Sequence, residues 1–179
     1  MASDIVIVPA TVELLPEILR VEEACFSAPW TRKMLEAELT GNQFAHFLVA
    51  MERAGAEASS GSIAGYHCFW IVFEELRLMN LAIRESMRRR GIGQALVTEA
   101  IRMGLAQAAT RAVLEVRASN EAACTLYRQM GFVQISTRPK YYTNPVEDAV
   151  LMEMDPLVLP AGGRPEGRPV IGGGSIPAR

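Results

Sequence analysis

Metal-binding and cross-linking side chains are scarce in this 179-residue chain, which carries three cysteines and two histidines. Cys25, Cys68 and Cys124 lie far apart and are odd in number, so they suggest neither a disulfide framework nor a zinc knuckle. His46 and His67 add too little for a structural metal site, and no metal is expected. A charge imbalance is missing as well. The formal net charge is -2, which gives no whole-molecule reason to bind nucleic acid. The apolar stretches FAHFLVAM and IAGYHCFWIVF stop well short of the roughly 20 residues that a membrane helix needs. The start, MASDIVIVPA, has neither the basic nor the long apolar segment of a secretory signal. These absences lead to the expectation of a soluble, cytoplasmic protein with no membrane partner.

Half of the residues (50%) are hydrophobic and 21% are charged, a balance that excludes intrinsic disorder. A domain of roughly 150 residues buries about 68–70% of the surface its unfolded chain exposes, enough for a core without disulfides. Residues 5–8 are β-branched and apolar and read as a first strand. Leu14, Leu15, Ile18, Leu19 and Val21 share a helical face between Thr11 and Phe26, with Pro16 tolerable only in the first turn. Thr31 is a candidate N-cap for a second helix, which Gly41 stops. Three strands follow at 44–51, 63–73 and 76–83, the first two joined across the small-residue loop ERAGAEASSGS.

Ile92, Ala95, Leu96, Ala100, Ile101 and Leu105 then return to helical spacing, and AVLEV is a compact strand. Ser119-Asn120 caps a helix over 121–130, closed by Gly131, and strands at 133–137 and 149–154 complete the series. This order predicts a mixed sheet with helices on it, in the α/β or α+β class. From Pro156 to Arg179 the chain holds five prolines and six glycines among 24 residues and shows no periodicity. The domain is therefore placed at 1–155 and a flexible tail at 156–179.

The strongest local signal is Arg88-Arg89-Arg90-Gly91-Ile92-Gly93-Gln94, set between a strand and a helix. Glycines let the backbone come close to a ligand, successive amides meet the positive end of the helix dipole, and arginines add charge where phosphates would lie. The same residues would also suit a solvated basic turn. A P-loop needs Lys followed by Ser or Thr after Gly93, where Gln94-Ala95 stands. A dinucleotide-binding fold would use Gly91, Gly93 and an acid at Glu115. Against it, Leu96 occupies the third small-residue position and the preceding strands read as a meander.

Arg88-x-x-Gly91-x-Gly93 after a strand resembles the acyl-CoA pyrophosphate loop of the GNAT acetyltransferase superfamily. LEVRASNEAACTLYRQMGF, residues 114–132, resembles more narrowly its bacterial branch of ribosomal-protein-alanine N-acetyltransferases. CFSAPWT at 25–31 and KYYTNPVEDAVLMEM at 140–154 look like the same branch, so the similarity spans residues 5 to 154. The resemblance implies a mixed, mostly antiparallel central sheet of about seven strands carrying about four helices. It implies acetyl-CoA as co-substrate, lying between the strands at 76–83 and 112–117. By that resemblance the backbone of Leu81, Ala82 and Ile83 holds the thioester and pantetheine arm. Amides of Arg89, Arg90, Gly91, Ile92, Gly93 and Gln94 hold the pyrophosphate. Asn120 matches a cofactor-contacting asparagine, and asparagine is equally suited to capping the helix that follows.

Glu115 matches the family's proton acceptor, and Tyr127 its proton donor to the departing thiolate. Read from spacing alone, Glu115 could face solvent from its strand, while Tyr127 shares a helical core face with Ala123 and Met130. Trp30 and the Tyr141-Tyr142 segment rim the peptide groove by the same resemblance, although Trp30 equally suits helix packing. Glu147-Asp148 matches the acidic end of a family motif in which Gly-Arg usually precedes; this chain has Pro145-Val146 there. Cys124 reads as a small core residue and His67 as a strand residue. The implied function is acetyl transfer to the N-terminal α-amine of a protein, a ribosomal-protein alanine first, by direct attack in a ternary complex. A lysine or small-molecule acetyltransferase and a non-catalytic acyl-CoA-binding module are the alternatives. The arginine cluster is local and lacks interleaved aromatics, which argues against a nucleic-acid partner.

Overall fold

The computed structural model describes residues 5–52 and 62–160. Its strands are β1 (Ile5–Pro9), β2 (Ala45–Glu52), β3 (Ile63–Val72), β4 (Glu75–Ile83), β5 (Arg111–Arg117), β6 (Val133–Thr143) and β7 (Val146–Met154). Its helices are α1 (Leu15–Cys25), α2 (Arg32–Gly41), α3 (Ile92–Ala106) and α4 (Glu121–Gln129). The strands form one sheet in the order β1-β2-β3-β4-β5-β7-β6. Neighbours are antiparallel except β4 and β5, which run parallel. A parallel pair needs a crossover, and α3 lies within it.

Side-chain alternation covers both faces of the sheet. Along β2, Phe47, Val49 and Met51 join a buried cluster with Ile18 and Val21 of α1 and Leu35 of α2. Leu48 and Ala50 point the other way, into a cluster with Leu96, Val97 and Ile101 of α3 and Cys124 and Tyr127 of α4. Full burial of the central strands explains the near-continuous apolar run of β3, in which His67 is wholly buried beside Phe69. Cys124 is likewise a core residue.

Local signals place most element ends. The Thr31 hydroxyl accepts from the Met34 N–H at 3.3 Å and caps α2. Gly131, at φ +101, takes the left-handed conformation after α4. The first helix differs from the expectation. Residues Val12–Leu14 form a 3-10 turn and α1 starts at Leu15, so Pro16 falls in the first turn, where its missing N–H has no intrahelical partner to lose. β6 also runs six residues past the expected end at 137, because it is an exposed edge strand and needs no apolar alternation. Residues 53–61, most of the ERAGAEASSGS loop, lie outside the described residues, as does the tail from 161. Leu157 is buried, and its N–H donates to the Thr110 carbonyl at 2.6 Å, so ordered contacts reach past residue 155.

Candidate active site

β4 and β5 pair from Glu75 and Arg111 as far as Leu78 and Leu114, and then part. Beyond that point β4 stays with β3, to Ile83 opposite Gly65, and β5 stays with β7, to Arg117 opposite Ala149. The divergence coincides with a bulge. Asn80 sits opposite Cys68 and Leu78 opposite Phe69, which leaves Met79 without a partner on β3. A bulge bends and twists its strand, and here it turns β4 away from β5. The β5-facing edge of β4 is thereby left without a strand to bond.

A cleft of about 460 Å³ opens on this gap. Met79, Asn80 and Leu81 of β4 face Glu115, Val116 and Arg117 of β5 across it. Asn120, Ala123 and Tyr127 close it on the α4 side, and Glu22, Cys25 and Trp30 on the α1 side. Tyr141, Tyr142, Thr143 and Asn144 form the remaining rim. The structure thus gathers Trp30, Leu81, Glu115, Asn120, Tyr127, Tyr141 and Tyr142 from the sequence expectations into one cleft. Ala82, Ile83 and residues 89–94 are not part of its lining.

Those residues form the adjoining wall. The Ile83 carbonyl accepts from Arg88 Nε at 3.1 Å and from Cys25 Sγ at 3.4 Å, so of its backbone pair the oxygen is already engaged. Gly91 caps α3 at φ +76, and the first helical bond runs from the Ala95 N–H to the Gly91 carbonyl at 2.9 Å. The amides of Ile92, Gly93 and Gln94 therefore have no acceptor within the helix. Arg89 and Arg90 beside them are exposed. Gly93 abuts both neighbours: a Cβ there would lie 3.4 Å from a methyl of Leu126 on α4 and 3.7 Å from one of Leu81 on β4. The amino end of α3, the end of β4 and α4 are thus continuous.

Charged groups in the cleft are held by specific partners. Glu115 pairs with Arg138 at 2.5 Å. Its hydrogen bond to Tyr141, with burial added, pushes that phenol up. The Arg117 guanidinium lies 4.2 Å from the centre of the Tyr142 ring and 3.3 Å from Glu147. It also donates to the carbonyls of Asn144 at 3.0 Å and Pro145 at 3.2 Å. Burial, followed by the charge of Glu115, pushes Tyr142 up to about 12. Tyr127 meets Phe132 edge-on at 5.6 Å, and burial raises its hydroxyl well above an ordinary phenol, so it stays protonated. Asn120 caps α4, its side chain accepting from the Ala123 N–H at 3.1 Å, and it also lines the cleft. Trp30 lines the cleft and also packs against the α1–α2 cluster.

Three participants went unread in the sequence: Glu22, Arg117 and Arg138. Glu22 is 1% exposed and accepts from the Trp30 N–H at 2.7 Å, the Tyr66 hydroxyl at 2.5 Å and the Asn80 amide at 3.2 Å. Its signal was an acid four residues after Ile18 and seven after Leu15, on the apolar face of the helix. Arg117 sits inside the LEVRASN segment, and nothing local marks its partners near 145.

Residues 15–132 match the acetyltransferase (GNAT) family. The chain belongs to this family. A Bacillus subtilis (strain 168) protein, named as a candidate ribosomal protein bS18-alanine N-acetyltransferase, is 34% identical over 140 residues, 78% of this chain and 88% of its own. The ribosomal protein bS18-alanine N-acetyltransferase of Escherichia coli (strain K12) is 30% identical over 142 residues, 78% of this chain and 90% of its own. In three dimensions the crystal structure of the ribosomal-protein-S18-alanine N-acetyltransferase from Escherichia coli matches with a TM-score of 0.74 at 26% identity. That match covers 86% of this chain and 95% of the other. The GNAT fold expected from residues 88–93 and 114–132 is therefore the fold found. This GNAT acetyltransferase has no helix among its described residues long and apolar enough to cross a membrane.

Proposed function

We propose that the protein transfers the acetyl group of acetyl-CoA to the N-terminal α-amine of a protein, with the alanine terminus of ribosomal protein bS18 as its target. The observation that carries this reading is the parting of β4 and β5 beyond Leu78 and Leu114, beside the unpaired amides that open α3. The residues present suit acetyl-CoA. Amides at 92–94 with Arg89 and Arg90 offer donors and positive charge for a pyrophosphate. The open edge of β4 offers the backbone groups of Leu81 and the Ile83 N–H for the amide-bearing arm, while Ala82 between them faces Tyr66 of β3, and Asn120 stands at the mouth of α4. When bound, acetyl-CoA supplies an acyl group activated as a thioester.

The chain's own residues then have modest work. A free α-amine has a pKa of about 7.7–8.0 against about 10.4 for lysine, so freeing its lone pair near pH 7.4 costs under about 1 kcal/mol, where lysine needs about 4. Glu115, on the β5 wall, accepts the proton that the amine loses as it becomes an amide, directly or through a water. Tyr127, buried and neutral, offers its hydroxyl proton to the sulfur side of the cleft. Trp30, Tyr141 and Tyr142 hold the peptide. The names of the bacterial relatives support the ribosomal target. Incubating purified bS18 with a free alanine terminus, acetyl-CoA and the protein tests that target. Acetylation of that alanine is the expected result, and an unmodified terminus beside an active control peptide would remove bS18.

A further inference from the structure

Among the described residues, three charged side chains line the cleft: Glu22, Glu115 and Arg117. Two are neutralised within the fold. Glu115 has Arg138 at 2.5 Å, and Arg117 has Glu147 at 3.3 Å. Glu22 is different. Its partners are the Trp30 N–H, the Tyr66 hydroxyl and the Asn80 amide, all neutral, and none of the ion pairs among the described residues includes it. A buried carboxylate normally has a cation close by, because removing its charge from water is costly. Burial pushes the Glu22 carboxyl above the ordinary carboxylate range, and the three donors aimed at it work in the other direction by favouring its charged, acceptor-only form. The donors come from three places that shape the cleft: the α1–α2 loop, the core of β3, and Asn80 next to the bulge in β4. The cleft is thus left with one carboxyl group on its α1 wall that no cation among the described residues neutralises.

We infer that Glu22 is the residue that reads the positive charge of the incoming amine, so that the cleft selects ammonium-bearing termini over neutral ones. The inference rests on the reading of the cleft as an amine site. A terminal amine with a pKa of about 7.7–8.0 arrives mostly protonated at neutral pH, and the missing counter-charge is then brought by the substrate. The acetylated product is neutral and loses that attraction, which favours its release. Glu22 has a binding role here, separate from the proton acceptor on the β5 wall. Asn80 and Tyr66 hold its carboxyl group in place.

The test compares binding of a short peptide with a free N-terminal alanine against the same peptide N-acetylated, by calorimetry on the CoA-loaded protein. The wild-type protein is expected to prefer the free amine by about tenfold or more, a ratio that one charge-assisted contact sustains. Glu22→Gln, which keeps the shape and removes the charge, is expected to bring that ratio close to one. Its KM for acetyl-CoA should not change. A role in folding alone would weaken both peptides equally. Glu115→Gln should keep the preference, because Arg138 already neutralises that charge; this variant decides the matter should Glu22→Gln fail to fold. A preference that survives Glu22→Gln, that disappears with Glu115→Gln, or that the wild type lacks, overturns the inference. Turnover separates the two levels. A wild-type protein that acetylates no terminal amine sinks the functional reading and this inference together, whereas turnover with the preference intact in Glu22→Gln sinks this inference alone.

Discussion

The guanidinium of Arg117 stacks 4.2 Å from the ring centre of Tyr142 and, from the same position, donates to the carbonyls of Asn144 and Pro145. One side chain at the end of β5 thereby holds the β6–β7 turn over the cleft. The opposite rim joins it, since the Ser27 hydroxyl donates to the Asn144 carbonyl at 3.2 Å. Glu147 completes the arrangement by pairing with Arg117 and accepting from the Ser119 N–H at 2.5 Å. The Pro145-Val146 departure from the family motif therefore leaves the acidic end of that motif in use.

Arg117→Met keeps the stem of the side chain and removes every donor. The β6–β7 rim should loosen, raising the peptide KM by about tenfold, in line with the loss of a charge-assisted pair, while the KM for acetyl-CoA stays as it was. Steady-state kinetics varying each substrate in turn decides it. An unchanged peptide KM would show that Arg117 does not position the rim.

Gly91 tests the phosphate wall through backbone conformation alone. Its φ is +76, yet nothing lies within 4 Å of where a Cβ would stand. Gly91→Val should therefore distort the loop by disfavouring the left-handed conformation, at about 1–2 kcal/mol, without any clash. The KM for acetyl-CoA should rise several-fold. Gly91→Asn, which tolerates that conformation better, should recover most of the loss. Equal acetyl-CoA affinity in all three proteins would place the pyrophosphate elsewhere.

His67 makes stability depend on pH. The ring is fully buried, and burial pushes its pKa down to about 4 against a smaller, opposing contribution from a hydrogen bond with the Leu96 backbone. An unfolded histidine titrates near 6.5, so below that pH the unfolded chain takes up a proton that the folded chain refuses. Its contribution is fully present above about 6.5 and is lost progressively as pH falls toward about 4. Between pH 7 and pH 5 the loss should be about 2 kcal/mol. Urea unfolding at both pH values should show His67→Leu losing less stability than the wild type over that interval. Equal losses in the two proteins would mean that the ring is protonated or solvated in the fold.

What could be read from the chain depended on how far apart the cooperating residues lie. The loop at 88–94 and the cap at Asn120 are local chemistry, and both stand where the sequence put them. Thr31 and Gly131 were readable for the same reason. Glu22 was not, because its donors lie 8, 44 and 58 residues away and only the fold brings them together. Arg138 meets Glu115 because β6 extends to Thr143, and an exposed edge strand containing Pro139 offers no alternation by which to see that length.

Glu115 and Tyr127 carry the chemical step in this reading, from the β5 and α4 walls of one cleft. Glu115→Gln and Tyr127→Phe should each lower kcat by roughly 10²–10⁴-fold, the range of a lost general acid or base, with little change in either KM. Pre-steady-state and steady-state assays on the same peptide measure it. A variant with wild-type kcat removes its residue from the mechanism.

The most direct test of N-terminal acetyl transfer uses two short peptides, one with a free N-terminal alanine and one N-blocked with an internal lysine, each incubated with acetyl-CoA and the protein. Mass spectrometry of the products locates the acetyl group. Acetylation of the free terminus, with the blocked peptide left unmodified, is the expected result. Acetylated lysine with an untouched free terminus would contradict it.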